Sequence, residues 1–141
     1  MLRMAGKPPT TLELVWEHDL VLGGRSGAVS MTLDSASVAG PSPVQALGFA
    51  LAGCMAMDVV HILRKGRHDL KGLKVALSAE RAPQDPHRVT SVTLHYTITG
   101  SVPADQIQRA LDLSHDKYCS VWHSMRHDIP FEATFTITPP A

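Results

Sequence analysis

The segment "GPSPVQALGFALAGCMAMDVVHILRKGR", residues 40–67, predicts the long helix that decides the fold. Five of its residues follow one another at spacings of four, three, four and three: Leu47, Leu51, Cys54, Asp58 and His61. These spacings place the five residues in one stripe on one face of a helix. Because the other faces are also mostly apolar, we expect the helix to run from Pro43 to about Arg67 and to be buried on most sides.

The regions around this helix alternate between strand and helix patterns. Strands are predicted over residues 11–22, 28–36, 73–82, 88–100 and 131–139. The glycine-rich "GGRSG", residues 23–27, predicts the turn between the first two strands. A second helix is expected to begin near Pro103 and to break around residues 116–118, and a short third helix to start near Cys119. The order ββ-α-ββ-αα-β indicates an α+β fold with a mainly antiparallel sheet, in one domain of residues 1–141.

Composition excludes several classes of protein. Lysine plus arginine equals aspartate plus glutamate at 13 each, and no basic block is large enough to indicate nucleic acid as a partner. The longest apolar run, residues 46–57, is too short to span a bilayer, and no secretory segment is visible at the start. We therefore expect a cytoplasmic protein that does not bind membranes.

The chain has two cysteines, Cys54 and Cys119. They are either unrelated core residues, the common role of buried cysteine, or a pair that meets in the fold. The small neighbour Gly53 and the ionisable Asp58 favour a reactive site at Cys54, and a helix start near Cys119 would stabilise a thiolate there. Asp58 by itself raises the pKa of a nearby thiol, so a reactive Cys54 needs a cation, for which Arg25 is the candidate.

A metal site is the rival interpretation of these residues. His115, Cys119 and His123 are spaced four residues apart, and Cys54, Asp58 and His61 share a helix face. Neither set has the paired spacing of established zinc motifs. We therefore expect no metal.

Three segments resemble the OsmC/Ohr superfamily. Residues 40–60 resemble its central cysteine helix, "DKYCSV" at residues 116–121 resembles the second-cysteine motif of its OsmC-like branch, and "GGRSG" resembles its first hairpin. The order of elements agrees over nearly the whole chain. The resemblance implies mainly antiparallel sheets wrapped around two long central helices in an intertwined homodimer, with active sites at the dimer interface.

The resemblance also implies a thiol peroxidase of the stress response, which needs no cofactor. Cys54 would attack the peroxide, Cys119 would resolve the sulfenic acid as a disulfide, and Arg25 would hold the thiolate and the peroxide. An external dithiol would then reduce the disulfide. Apolar neighbours of Cys54, such as Phe49, Met55 and Met57, favour an organic hydroperoxide as the substrate.

One position departs from the reductase pattern. The hydroperoxide reductases carry a glutamate directly after the proline that matches Pro43, and Val44 stands there in this chain. OsmC-like relatives often carry Glu or Gln one place later, which Gln45 matches, and Asp58 or Glu17 are further candidates to support the arginine. Val44 favours the alternative function, a stress-response or small-molecule binding protein with little peroxidase turnover.

Overall fold

The computed structural model of the protein describes residues 6–140. The chain forms two compact units, whose boundary falls between Leu47 and Gly48. Its elements are β1 (Glu13–His18), β2 (Val21–Ser26), β3 (Val29–Asp34), α1 (Pro43–Lys65), β4 (Asp69–Arg81), β5 (Val89–Ser101), α2 (Ala104–Leu113), α3 (Ser120–His123) and β6 (Phe131–Thr138). A π-helical turn, Ser114–Tyr118, joins α2 to the loop before α3. The α+β class predicted from the sequence is confirmed, with one more strand than predicted.

The first unit contains an antiparallel sheet in the order β1-β2-β3. The prediction of one strand over residues 11–22 and a turn at "GGRSG" is wrong. The chain already reverses at Asp19, whose φ is 44°, and Gly23 through Ser26 lie inside β2. Glycine serves close packing in this central strand, because a Cβ at Gly24 would come 2.8 Å from the Leu14 side chain.

Helix α1 begins at Pro43, as predicted, and ends two residues before Arg67. Its start is a capping box: Ser42 Oγ accepts a hydrogen bond from the Gln45 backbone N–H (3.2 Å), and Gln45 Oε1 accepts one from the Ser42 N–H (2.9 Å). At the other end Arg67 adopts a φ of 60°, which stops the helix. Local sequence signals therefore set both ends of α1.

The second unit contains a mixed sheet in the order β4-β5-β6. The long strands β4 and β5 pair antiparallel, whereas β6 runs parallel to β5. A parallel neighbour needs a crossover connection, and α2, the π-helical turn and α3 provide it. Three of the four strand pairs in the two sheets are antiparallel, as the sequence predicts.

The core of the second unit lies between α1, α2 and the sheet. Its most buried side chains recur every four residues on α1, alternate along β5 and include two residues of α2: Leu51, Met55, Val59, Leu63, Val92, Leu94, Tyr96, Ile98, Ile107 and Ala110. The expectation that α1 is buried on most sides is wrong for the single chain. Phe49 and Met57 are 70% and 73% exposed, because the chain covers only one side of the helix.

Helix α1 also passes a length and composition test for a membrane span. Over 18 residues its mean hydropathy is 1.8. The expectation that this segment is too short to span a bilayer was based on the uninterrupted apolar run of residues 46–57. The whole helix has 23 residues. Core helices pass the same test, and Leu51, Met55, Val59 and Leu63 place one side of α1 in a protein core.

Candidate functional site

The two cysteines, 65 positions apart in sequence, are neighbours in the second unit. Cys54 lies in the middle of α1, and Cys119 is the residue that caps the start of α3. The two sulfur atoms and a carboxylate oxygen of Asp58 all lie within 4.8 Å of one another. The alternative that the cysteines are a pair that meets in the fold is therefore confirmed.

The two thiols differ in accessibility. Cys119 has no exposed surface, whereas Cys54 is half-buried. A molecule in solvent can therefore reach the Cys54 sulfur but not the Cys119 sulfur.

Neutral hydrogen-bond donors stabilise a thiolate at Cys54. Burial is the largest single influence and raises the pKa of Cys54, but the Val121 N–H, the Cys119 thiol and the Ser120 hydroxyl together lower it below its usual value. The Ser120 oxygen lies 3.8 Å from the Cys54 sulfur. Asp58 raises the pKa of the Cys54 thiol, as predicted. Within the second unit, a lowered pKa therefore does not require a cation.

Cys119 keeps its proton. Burial raises the pKa of Cys119 to about 11, and the neighbouring Cys54 contributes further. The Trp122 N–H does bond the Cys119 sulfur, at 3.4 Å, but this donor does not outweigh burial. The prediction that the helix start near Cys119 stabilises a thiolate at Cys119 is wrong. Ser120 and Val121 of that helix lower the pKa of Cys54 instead.

The Asp58 carboxylate is held by the π-helical turn that precedes Cys119. The hydroxyl of Ser114, a nearly fully buried residue in the π-helical turn, donates a 2.9 Å hydrogen bond to Asp58. Burial, with smaller contributions from the charges of Cys119 and Asp58, raises the pKa of the Tyr96 hydroxyl. Asp58 therefore lies beside the thiols, bonds the buried Ser114 hydroxyl, and acts on the Tyr96 hydroxyl through its charge.

A cavity of about 600 Å³ adjoins this carboxylate. Asp58 forms part of its wall, and the other lining residues are His61, Ile62, Lys65, Gly66, Arg109, Leu113 and Tyr118. This volume lies within the range of small-molecule pockets. The stripe predicted from the sequence thus continues from the core at Leu51, past the thiol, into a solvent-filled space at His61.

The lowered pKa of Cys54 predicts that this thiol is alkylated at a lower pH than an unperturbed thiol. The rate of iodoacetamide modification should rise as pH passes through the lowered pKa, with a midpoint below that of the same cysteine in the unfolded chain. Replacing Ser120 with alanine should raise that midpoint, since the hydroxyl donor is lost. Mass spectrometry of the Cys54 peptide over a pH series measures it.

Ser124→Ala is the matched control for this experiment. The Ser124 hydroxyl bonds the Ser120 carbonyl at 2.7 Å, so the change removes a neighbouring hydroxyl that bonds backbone. We expect it to leave the midpoint unchanged. A wild-type midpoint equal to that of glutathione would contradict the assignment of Cys54 as the activated thiol.

Two of the site residues predicted from the sequence, Arg25 and Gln45, lie in the first unit, whereas Asp58 lies beside the cysteines in the second. Arg25 is on the central strand β2, opposite Glu13 and Ser30, and is not at the tip of a turn. It lines a cavity of about 590 Å³ together with Glu13 and Glu17. Gln45 caps α1 and also accepts a hydrogen bond from the Ser37 hydroxyl at 2.7 Å. Both oxygen lone pairs of the Gln45 amide are therefore occupied.

Two of the three histidines considered as metal ligands, His115 and His123, have other partners. His115 Nδ1 lies 2.7 Å from an Asp116 carboxylate oxygen, and His123 Nε2 lies 3.0 Å from the His115 carbonyl. The His115 ring packs against Trp122 and Phe131, with centroids 5.3 and 4.6 Å away. Among residues 6–140 the group of metal-type donors is Cys54, Asp58 and Cys119, and these histidines do not join it.

Sequence reasoning missed four members of the site: Ser114, Ser120, Val121 and Tyr96. Ser120 and Val121 follow Cys119 directly in "YCSV", and a serine at a helix start was the available signal. Ser114 and Tyr96 carry no local signal. Tyr96 reads as one more core residue of a strand, and only the packing of α1 on the sheet brings it near the thiols.

Comparison with known proteins agrees with this architecture. Residues 34–134, which include both cysteines and α1, match the family model described as OsmC-like protein. The chain belongs to the OsmC-like family. The family resemblance inferred from the cysteine helix and the "DKYCSV" segment is thus confirmed.

A relative and two solved structures place this OsmC-like chain among its neighbours. It is 41% identical over 105 residues to Protein YhfA of Escherichia coli K12, an alignment that covers 74% of this chain and 71% of that protein. A hypothetical protein from Aquifex aeolicus superposes with a TM-score of 0.88 at 22% identity, covering 96% of this chain and all of that one. An organic hydroperoxide resistance protein from Legionella pneumophila superposes with a TM-score of 0.70 at 12% identity, covering 94% and 99%. These structural likenesses show the fold.

Proposed function

We propose that this OsmC-like protein is a cysteine-based peroxidase that reduces organic hydroperoxides. One observation carries the proposal: an accessible thiol of lowered pKa lies next to a buried thiol of raised pKa. A peroxidatic cysteine must be a thiolate that substrate can reach. A resolving cysteine must lie within reach of the oxidised sulfur, and the two sulfur atoms are within 4.8 Å.

The first step oxidises Cys54. Its thiolate attacks the terminal oxygen of the hydroperoxide, the O–O bond breaks, and the leaving alkoxide takes a proton to become an alcohol. Cys54 is then a sulfenic acid. The donors that stabilise the thiolate, Ser120 and the Val121 N–H, are in position to bond the sulfenic oxygen and to keep the sulfur oriented toward Cys119.

The second step forms the disulfide. The Cys119 sulfur attacks the sulfenic sulfur of Cys54, its thiol proton is released, and hydroxide leaves and is protonated to water. Before this step the raised pKa keeps Cys119 protonated, so that its thiol donates a hydrogen bond to the Cys54 thiolate. An external dithiol then reduces the disulfide and completes the oxidoreductase cycle.

The surroundings of Cys54 favour an organic substrate. Phe49 and Met57 of α1 are exposed in the single chain, so they can contact an organic group that enters between two chains, whereas Met55 is buried in the core and does not contribute. The cavity beside Asp58 offers further apolar contact at Ile62 and Leu113. An organic hydroperoxide gains contacts with these groups that hydrogen peroxide lacks.

We also propose that the protein is a homodimer that works in the cytoplasm. Large apolar side chains are exposed on α1, such as Phe49 and Met57, and on the first sheet, such as Val15 and Trp16. Exposed apolar surface of this kind indicates a protein partner, and a second copy packed on α1 would cover it. Arg25 would then act at a site made of both chains. A compartment that keeps thiols reduced supports the cycle.

A binding or stress-response protein with little turnover is the second candidate. Val44 replaces the reductase glutamate, and both acceptor sites of Gln45 Oε1 are used by Ser37 and Ser42. Gln45 therefore has no free acceptor with which to hold Arg25. Under this alternative the thiols are retained and the arginine is not positioned for rapid catalysis.

Intact mass spectrometry separates the two candidates. After one equivalent of an organic hydroperoxide, the wild-type chain should lose two hydrogens within minutes, because Cys54 and Cys119 form a disulfide. Cys119→Ser should instead hold a sulfenic acid at Cys54, which dimedone traps. Wild-type chains that keep both thiols free after minutes of exposure would support the binding protein.

A further inference from the structure

The carboxylate of Asp58 is the member of the site that peroxide reduction does not use. It lies among two sulfur atoms, and all three donor atoms are within 4.8 Å of one another. None of the salt bridges within residues 6–140 involves Asp58. An acidic group and two thiols gathered around one point are what a cation requires, and they are not what a thiolate nucleophile requires.

We propose that the reduced thiol pair and Asp58 bind a zinc ion. Zinc is borderline soft and accepts two cysteine sulfurs and one carboxylate oxygen, with Zn–S distances of about 2.3 Å. A tetrahedral ion with those distances holds its two sulfurs about 3.8 Å apart. The observed separations are within 4.8 Å, so side-chain adjustments of about 1 Å are enough.

The surroundings meet two further requirements of a zinc site. The buried Ser114 hydroxyl donates a 2.9 Å hydrogen bond to Asp58, which orients the carboxylate as hydrogen-bond partners of metal ligands do. The cavity of about 600 Å³ is bounded by Asp58, so an ion can approach the cluster from the side of this carboxylate. Ligand identity, orientation and access therefore agree.

Zinc binding and disulfide formation exclude each other. Zinc binds thiolates, so its entry releases to solvent whatever thiol protons Cys54 and Cys119 still carry and leaves both sulfurs reduced. A disulfide has no thiolate left to donate. The bound ion thus protects the pair from oxidation, and oxidation of the pair releases the ion. The exclusion rests on the proposed function only where the oxidant is a hydroperoxide.

Zinc titration of the reduced, untagged, full-length protein tests the site. After chelator treatment, competition against a chromophoric zinc indicator should show one zinc per chain. Cobalt added instead of zinc should give the intense absorption of sulfur-to-cobalt charge transfer and the visible bands of a tetrahedral ion. Bound zinc should also prevent alkylation of the accessible Cys54 by iodoacetamide.

Variants locate the ion. Cys54→Ser and Asp58→Asn should each weaken zinc binding by about 10- to 100-fold or more. His123→Ala and Asp116→Asn are matched controls that remove metal-type donors outside the cluster, and both should keep wild-type affinity. Circular dichroism confirms that each variant is folded. Substoichiometric zinc in fully reduced wild-type protein, or an unchanged affinity in Cys54→Ser, would overturn the proposal.

Oxidation with diamide keeps this test separate from the peroxidase. Diamide accepts two hydrogens from the thiols and makes the disulfide without any hydroperoxide chemistry. The diamide-treated protein should bind no zinc and should recover binding after reduction. If the protein binds zinc but does not react with a hydroperoxide, only the proposed peroxidase function is contradicted. If it reduces the hydroperoxide but does not bind zinc, only the proposed metal site is contradicted.

Discussion

Replacing Cys54 with serine should lower the rate of organic hydroperoxide consumption by about 1,000-fold or more. Serine has nearly the same shape, but its hydroxyl does not ionise near neutral pH and is a poor nucleophile toward an O–O bond. The half-buried position of Cys54 at the edge of the core tolerates the smaller atom, so we expect the fold to persist. Hydroperoxide loss with a dithiol reductant in excess and a chelator present measures the effect.

Cys119→Ser is the matched comparison for this result. It retains the Cys54 thiolate, so each chain should consume one equivalent of hydroperoxide quickly and then slow, because the sulfenic acid lacks its resolving partner. Turnover falls while the first oxidation remains. The proposed roles are reversed if Cys119→Ser stops the first oxidation and Cys54→Ser does not.

Placing aspartate at Met57 should convert a homodimer into monomers. In the single chain the Met57 side chain is 73% exposed, so the new carboxylate stays in water and the fold is not strained. In a dimer packed on α1 the same carboxylate would be buried without a partner, at a cost of several kcal/mol. A cost of about 4 kcal/mol raises the dissociation constant about 1,000-fold.

Sedimentation of the wild type and the variant at micromolar concentration checks this expectation. Ala104→Asp, at the exposed start of α2, is the control that adds the same charge away from α1 and should remain dimeric. Because the proposed active site contains residues of both chains, Met57→Asp should also lose hydroperoxide turnover. A wild-type protein that sediments as a monomer, or a variant that stays dimeric, would refute the proposed packing of α1.

Glycine shows why the first sheet was only partly predictable. In "GGRSG" the same residue type marks a turn when φ is positive, as at Gly27, and a close approach of chains when it lies in a strand, as at Gly24. The sequence pattern does not distinguish these two uses. Arg25 was therefore predicted at the tip of a turn but lies in the central strand β2. Its role as a site residue stays a prediction.

The ends of α1 and the alternation of β5 depend on neighbours within a few residues, so the sequence by itself determined them. Ser42, Pro43 and Gln45 specify where α1 begins, and the cysteine motifs specify the family. The reactivity of the two cysteines was decided by tertiary structure. Val121 and Ser120, far along the chain from Cys54, lower the pKa of its thiol, and burial raises that of Cys119. A pKa depends on solvent exclusion and on donors within a few ångströms, and those distances exist only after α3 has packed against α1.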